Sequence, residues 1–573
     1  MPASVIELRP DRRLFDHEFE GYKLHFQSIP NYVHDLPSPV DKVYPDEVQY
    51  SFIHAKLFAL HNHLVLDFWN YTFNYYYFDK KQQVRHVTFE NNNHSFKNTV
   101  VYDVPAHIER KSGHFNLSLI FPSGNLATIS DGTGYLHIVE TGNRNSQASR
   151  TESWQTQHSS LVLGEGKFFV IVDSKVEEKG SSELLHCLLQ SVEQSEKHFN
   201  TVLTWVTYEN DKQNWKQVCI RQLQGKGIVH YSAIESTCSA LYIASDNPFK
   251  FITDPENDIV KQPRKILYTW LQTTEDVNVT LRLPENISKD LLHISVTPLA
   301  IKVSYAGNTI VDGTLRHKVD SELTTWNILE NGQVDILITK ADSMMWDRFL
   351  EHEDSNGEEI MDASLVEEAH KRLAHLCSDT EAVVDQSVPG FSTQELEECD
   401  AASEEDTVLV RIQATNHETT HRIPLSVHQY LFSVQLETHE TPALVLRHDV
   451  DACIWQPNAQ LVNSNTWPMK HQGTLMAFGY IQSSKENRKF ITCPPNFMYS
   501  VVCEARRHIF IYQNSGPKDT RLRKRTNGVM VDMKVGQQRV FNIDKYGEVI
   551  GINATNEHLF ILTENNLIAI EIM

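Results

Sequence analysis

Five residues of the chain, His417-Glu418-Thr419-Thr420-His421, carry the H-E-x-x-H spacing with which a helix presents two imidazoles to one zinc ion. The chemistry requires that helix, because only a 3.6-residue turn brings positions i and i+4 onto one face. The flanks argue for an extended segment instead: VLVRIQATN precedes the motif, RIPLS follows it, and two β-branched threonines sit inside it. In a strand the two histidine Cα atoms stand ~13 Å apart at ~3.3 Å per residue, too far to share a metal. The eight cysteines, at 187, 219, 238, 377, 399, 453, 493 and 503, form no C-x-x-C pair. Arg521, Arg523, Lys524 and Arg525 make one dense basic cluster, read as a solvated loop or a nuclear-import signal. No nucleophile–base pair, phosphate-cradling loop or metal-ligand set emerges, so the expectation is a protein that is not an enzyme and needs no cofactor.

The elements around these residues are strands. From residue 20 to 250 a strand, a tight polar turn and an aromatic-rich strand recur, as in NLATISDGTGYLHIVETG (125–142) around Asp131-Gly132-Thr133-Gly134. The unit returns after residue 406, in YSVVCEARRHIFIYQNSG (499–516) and in the final EVIGINATNEHLFILTENNLIAIEIM. Gly, Asn and Asp supply the positive-φ positions that such hairpins need. The fold class expected is all-β: a degenerate β-propeller of about seven blades, built from residues 1–260 and 407–573 and closed through the terminal strand. Residues 264–406 are expected to leave that ring as an insertion.

Charge is distributed unevenly along the 573 residues. The formal net charge is -22, and residues 351–406 hold eighteen Asp and Glu against only Lys371 and Arg372. That segment reads as an acidic linker, with an amphipathic helix in ASLVEEAHKRLAHLC (363–377) and a capping box at Ser392-Thr-Gln-Glu395. So acidic a chain is unsuited to direct nucleic-acid binding. No apolar run is long enough to cross a bilayer, and no membrane partner is expected. Sparse cysteines and the absence of a leader-like N-terminus suggest the cytoplasm, with access to the nucleus.

Residues 264–350 have a different rhythm. In ILYTWLQTTEDVNVTLRLPE, Val277, Val279, Leu281 and Leu283 alternate strictly with Asn278, Thr280 and Arg282, the pattern of a half-buried antiparallel strand. Further strands are expected at 291–297, 299–305, 308–311, 314–319, 323–329 and 333–340. Ala306-Gly307-Asn308 and Glu330-Asn331-Gly332 provide turns, and the chain reverses again at Asp312-Gly313. Trp326, alternating with Ile328, reads as core.

The set Tyr268-x-Trp270-x-Gln272-Thr273, Asp312-Gly313-x-Leu315, Val319, Trp326, Lys340 and Trp346 resembles the CS domain of the NudC family. That resemblance implies a p23-like, seven-stranded antiparallel sandwich and a co-chaperone that works with Hsp90-type chaperones and their client proteins. Tyr268, Trp270, Gln272, Lys340 and Trp346 are the candidate partner-binding residues. The chain departs from the family at Met345-Trp346, where typical members carry two tryptophans. The alternative is a scaffold in which the propeller does the binding and the CS domain is structural.

Overall fold

The computed structural model describes residues 4–572 apart from 71–73, 145–153, 180–181, 196–197, 212–213, 254–266, 282–288, 329–332, 347, 352–356, 360–406, 426–427, 460–468, 484, 486, 515–520, 524–529 and 533. The expected helices at 363–377 and after Ser392, the Glu330-Asn331-Gly332 turn, Lys524 and Arg525 lie outside the described residues. The chain folds as two compact units: residues 1–256 with 394–573, and residues 257–393.

Strands dominate the first unit, where the α-helices among the described residues are Phe52–Ala59 and Phe478–Ser483. Among the described residues it holds seven sheets of four or five strands and one two-stranded hairpin, Arg521–Arg523 with Met530–Asp532. In chain order, sheet I spans 65–103, sheet II 118–161 and sheet III 170–226, with Lys250–Thr253 on its edge. Sheet IV is built from Val229–Ile234, Ala240–Ser245, Val408–Gln413 and Thr419–Pro424. Sheets V, VI and VII span 430–475, 488–542 and 549–571.

Why these strands read as near-continuous apolar runs is visible in Asn74–Phe78, where every residue is buried. Successive side chains of a strand point to opposite faces. Tyr76 and Phe78 pack with Leu119, Phe121 and Ile129 of sheet II. Tyr75 and Tyr77 pack the other way, with Phe560, Leu562 and Leu567 of sheet VII. A strand buried on both faces has no polar side to alternate with. The same two-sided packing links sheets II and III, III and IV, IV and V, V and VI, and VI and VII.

Sheet IV joins sequence segments that lie more than 150 residues apart. Ala240–Ser245 pairs antiparallel with Val408–Gln413, and Ser245 stands opposite Val408. A buried ion pair fixes that junction: Arg411 donates to the Glu235 carboxylate at 2.7 and 2.8 Å. The N-terminal segment covers edges. Ser4–Val5 pairs with Thr419–Pro424 of sheet IV, and Phe19–Leu24 with Lys534–Asn542 of sheet VI, both in parallel. Asn31–Asp35 completes sheet VII against Asn566–Glu571, so the chain's last strand lies inside a sheet.

The second unit is a two-sheet sandwich. Its strands are β1 (Tyr268–Gln272), β2 (Asp276–Leu281), β3 (Leu292–Thr297), β4 (Ala300–Tyr305), β5 (Asn308–Thr314), β6 (Val319–Ile328), β7 (Val334–Lys340) and β8 (Gly357–Glu359). One sheet has the order β6-β7-β2-β1-β8 and the other β3-β4-β5. Between them lie Val277, Val279, Leu281, Ile301, Val303, Ile336 and Ile338, the alternating residues of their strands. Ala306 and Gly307 both have positive φ, 49° and 81°, as the β4–β5 hairpin requires.

Three expectations of the strands need correction. No separate strand spans 314–319: Thr314 ends β5 and Val319 opens β6. Asp312 and Gly313 do not reverse the chain; they stand within β5, opposite Lys302 and Ile301, and the direction changes only after Thr314. Residues 357–359, read as linker, form β8 instead, which pairs in parallel with β1.

Candidate functional site

Gln272 ends β1 and Lys340 ends β7, and β2 lies between them in the sheet. Both side chains turn inward. The Lys340 Nζ donates to Gln272 Oε1 at 2.9 Å, to the Thr273 carbonyl at 2.6 Å and to the Met344 carbonyl at 2.7 Å. An ammonium has three donors, and three oxygens here accept them. Gln272 closes the arrangement: its Oε1 accepts the Trp346 backbone N–H at 2.8 Å and its Nε2 donates to the Trp346 carbonyl at 2.8 Å. The Lys340 ammonium also stands 5.3 Å from the centre of the Trp346 ring.

This clasp folds the segment after β7 back onto the sandwich. Trp346 and Phe349 enter the core, where Phe349 stacks on Trp270 at 5.6 Å and meets Tyr268 edge-on at 6.0 Å. The five residues singled out from the sequence therefore come together. All are buried, with Tyr268 at 1% and Lys340 at 6% exposure, so their chemistry is spent inside the unit. Met345, in place of a family tryptophan, points outward at 55% exposure, whereas Trp346 is buried.

Trp326 is where the sequence reading fails. Its Cα stands opposite Ile336, on the core side, but β6 is the edge strand of its sheet. With no strand beyond it among the described residues, the indole is 44% exposed. Leu323 on the same strand is 59% exposed, in a stretch where pairing with β7 is interrupted between Asp320 and Thr325. Alternation reports which face a side chain takes, not whether a neighbour covers it.

The two remaining motifs lie in the first unit. Thr419–Pro424 is a strand paired with Val408–Gln413, so the H-E-x-x-H residues form a hairpin and not the helix the metal motif requires. His417 has φ 61° at the turn and stacks on Phe251 at 3.8 Å, while His421 is buried opposite Arg411. Arg521 and Arg523 lie on the short hairpin strand Arg521–Arg523. Among the described residues no group of three or more His, Cys, Asp or Glu is placed to hold a metal ion. No helix among them is long and apolar enough to cross a membrane.

The chain is similar in sequence to known proteins. The family model of the CS domain matches residues 266–340. The mouse (Mus musculus) NudC domain-containing protein 1 is 34% identical over 590 residues, covering 100% of this chain and 99% of its own. Its Xenopus tropicalis counterpart is 32% identical over 594 residues, with the same coverage. Among solved structures, the nuclear movement protein from E. cuniculi GB-M1 aligns with 15% of the chain and 98% of its own, at 31% identity and a TM-score of 0.14. On that full-length likeness to the mouse and Xenopus proteins, and on the CS sandwich within it, the chain belongs to the NudC family, in the branch of NudC domain-containing protein 1.

Proposed function

We propose that the protein is a non-enzymatic co-chaperone or adaptor, in which the CS unit engages an Hsp90-type chaperone or its client proteins and the seven-sheet unit selects partners. The observation that carries this reading is the two-sheet sandwich at 266–340, matched by the CS family, inside a chain alike over its full length to NudC domain-containing protein 1. The interior of that sandwich supports it. Lys340, Gln272, Trp270 and Trp346 are used in holding the unit together, which leaves strand edges and exposed apolar side chains such as Leu323, Trp326 and Met345 for recognition.

The seven sheets are, on this reading, the blades of one propeller. Seven shared cores support it, the last joining sheet VII to sheet I, as does the pairing of N-terminal strand Asn31–Asp35 beside the C-terminal one. The CS unit is then an insertion between the second and third strands of the fourth blade, where Ser245 and Val408 are neighbours. The protein would work in the cytoplasm and reach the nucleus through the Arg521, Arg523, Lys524 and Arg525 cluster.

The test presents the full chain, and a variant lacking 264–350, to a purified Hsp90-type chaperone and measures binding by calorimetry. Loss of chaperone binding on deletion, with the far-UV spectrum of the seven-sheet unit retained, is the expected result. Undiminished binding by the deletion variant would leave the propeller as the binding element and the CS unit as structure only.

A further inference from the structure

Strand β8 is an unusual member of its sheet. It lies beyond Leu350, the last residue of the CS core, and consists of three residues, Gly357–Glu359. It adds to the free side of β1 in parallel, with Tyr268 opposite Gly357, Thr269 opposite Glu358 and Trp270 opposite Glu359. The other strand pairs of the unit are antiparallel. Three residues of parallel pairing give few hydrogen bonds, and parallel ladders are slightly weaker per residue than antiparallel ones. The β1 edge is therefore covered by a short, weakly paired strand.

The pairing is selective as well as short. A Cβ built on Gly357 would lie 2.2 to 2.5 Å from Cζ, Oη and Cε2 of Tyr268, closer than any real side-chain approach. The tyrosine ring thus reaches past its own strand and lies over the backbone of β8. Tyr268 cannot withdraw easily, because it is 1% exposed and its ring meets Phe349 inside the sandwich. Only glycine fits opposite it.

We propose that the β1 edge of the CS unit is a strand-acceptor site that takes extended polypeptide in parallel register with a glycine opposite Tyr268, and that β8 occupies it in cis. A partner segment of the same form displaces β8, so the chain's own residues 357–359 set a threshold for binding. Strand addition of this kind draws affinity from main-chain hydrogen bonds and specificity from the side-chain positions, here the one that Tyr268 covers. This deepens the reading of the CS unit as a polypeptide-binding module. The experiment that follows uses no chaperone, so the two readings can fail separately.

The probe is a fluorescein-labelled peptide with the sequence of residues 354–362, DSNGEEIMD, titrated against full-length chains and read by anisotropy. The variant Gly357→Val forces β8 off the edge. Its chain is expected to bind the peptide at least ten times more tightly than the wild-type chain does. A peptide carrying valine in place of the glycine is expected to bind neither chain. Hydrogen exchange supplies a readout that does not depend on peptide affinity: of the amides at 268–270, those that point toward β8 lose protection in Gly357→Val, while those that point toward β2, and those of β2 and β7, keep it. Equal peptide binding by both chains, binding of the valine peptide, or unchanged exchange at 268–270 would each overturn the proposal. Loss of protection across the whole sandwich would do so too, because β8 would then be part of the core and not a removable occupant.

Discussion

The ammonium of Lys340 sits under three oxygens, two of them backbone carbonyls, at 2.6 to 2.9 Å. Such a group is expensive to bury and expensive to remove, since each acceptor loses its partner when the donor goes. Lys340→Met keeps most of the aliphatic stem and takes away the donors. It is expected to lower the stability of the CS unit by about 2–4 kcal/mol. Hydrogen exchange of β1, β2 and β7 in the full-length chain measures it. A change below about 0.5 kcal/mol, the scale of an ordinary surface substitution, would show that the clasp does not hold the segment after β7. Gln272 and Lys340 were visible in the sequence as polar residues ending strands. That they face each other across an intervening strand was not, because it depends on the order β7-β2-β1 in the sheet.

At the scale of the element, two tryptophans on similar-looking strands have opposite fates. Trp270 lies on β1, covered by Phe349 and flanked by β2 and β8. Trp326 lies on β6, which among the described residues has a neighbouring strand on one side only. Trp270→Ala is therefore expected to cost about 3–5 kcal/mol, as large core truncations do. Trp326→Ala should cost about 1 kcal/mol, because nearly half of its surface stays in water. Denaturant unfolding followed by exchange of the CS amides compares the two. Similar costs would mean that Trp326 is covered in solution. The alternation of β2 and β7 was legible because the period of two is local. The edge position of β6 was not, because no residue within that strand states which strand, if any, comes next.

Across the whole first unit, the N-terminal segment lies along strands that would otherwise be open. Ser4–Val5 and Phe19–Leu24 cover the edges of sheets IV and VI, and between them the Asp11 backbone N–H donates to His471 Nδ1 of sheet V at 3.0 Å. Uncovered edges pair with other chains. Removing residues 1–24 is expected to leave the seven sheets folded but to produce concentration-dependent self-association, seen by light scattering. A truncated chain that stays monomeric at the same concentrations as the full chain would show that the segment does not protect those edges.

The local grammar of this protein can be read along the chain. The hairpin turns at Asp131-Gly132-Thr133-Gly134 and at Gly307 follow from glycines, which tolerate positive φ. The strict alternation of β2 was also legible, because it reflects that one face of the strand is buried. Which side chains are finally covered depends on the assembled fold. It placed Gly357 under Tyr268 from 89 residues away, in a stretch that reads as acidic linker. It also joined Val408–Gln413 to Ala240–Ser245 across the whole intervening CS sequence. Periodicity is a property of a few consecutive residues. Edge, cover and neighbour are properties of strands brought together from distant sequence, and no window along the chain contains both partners.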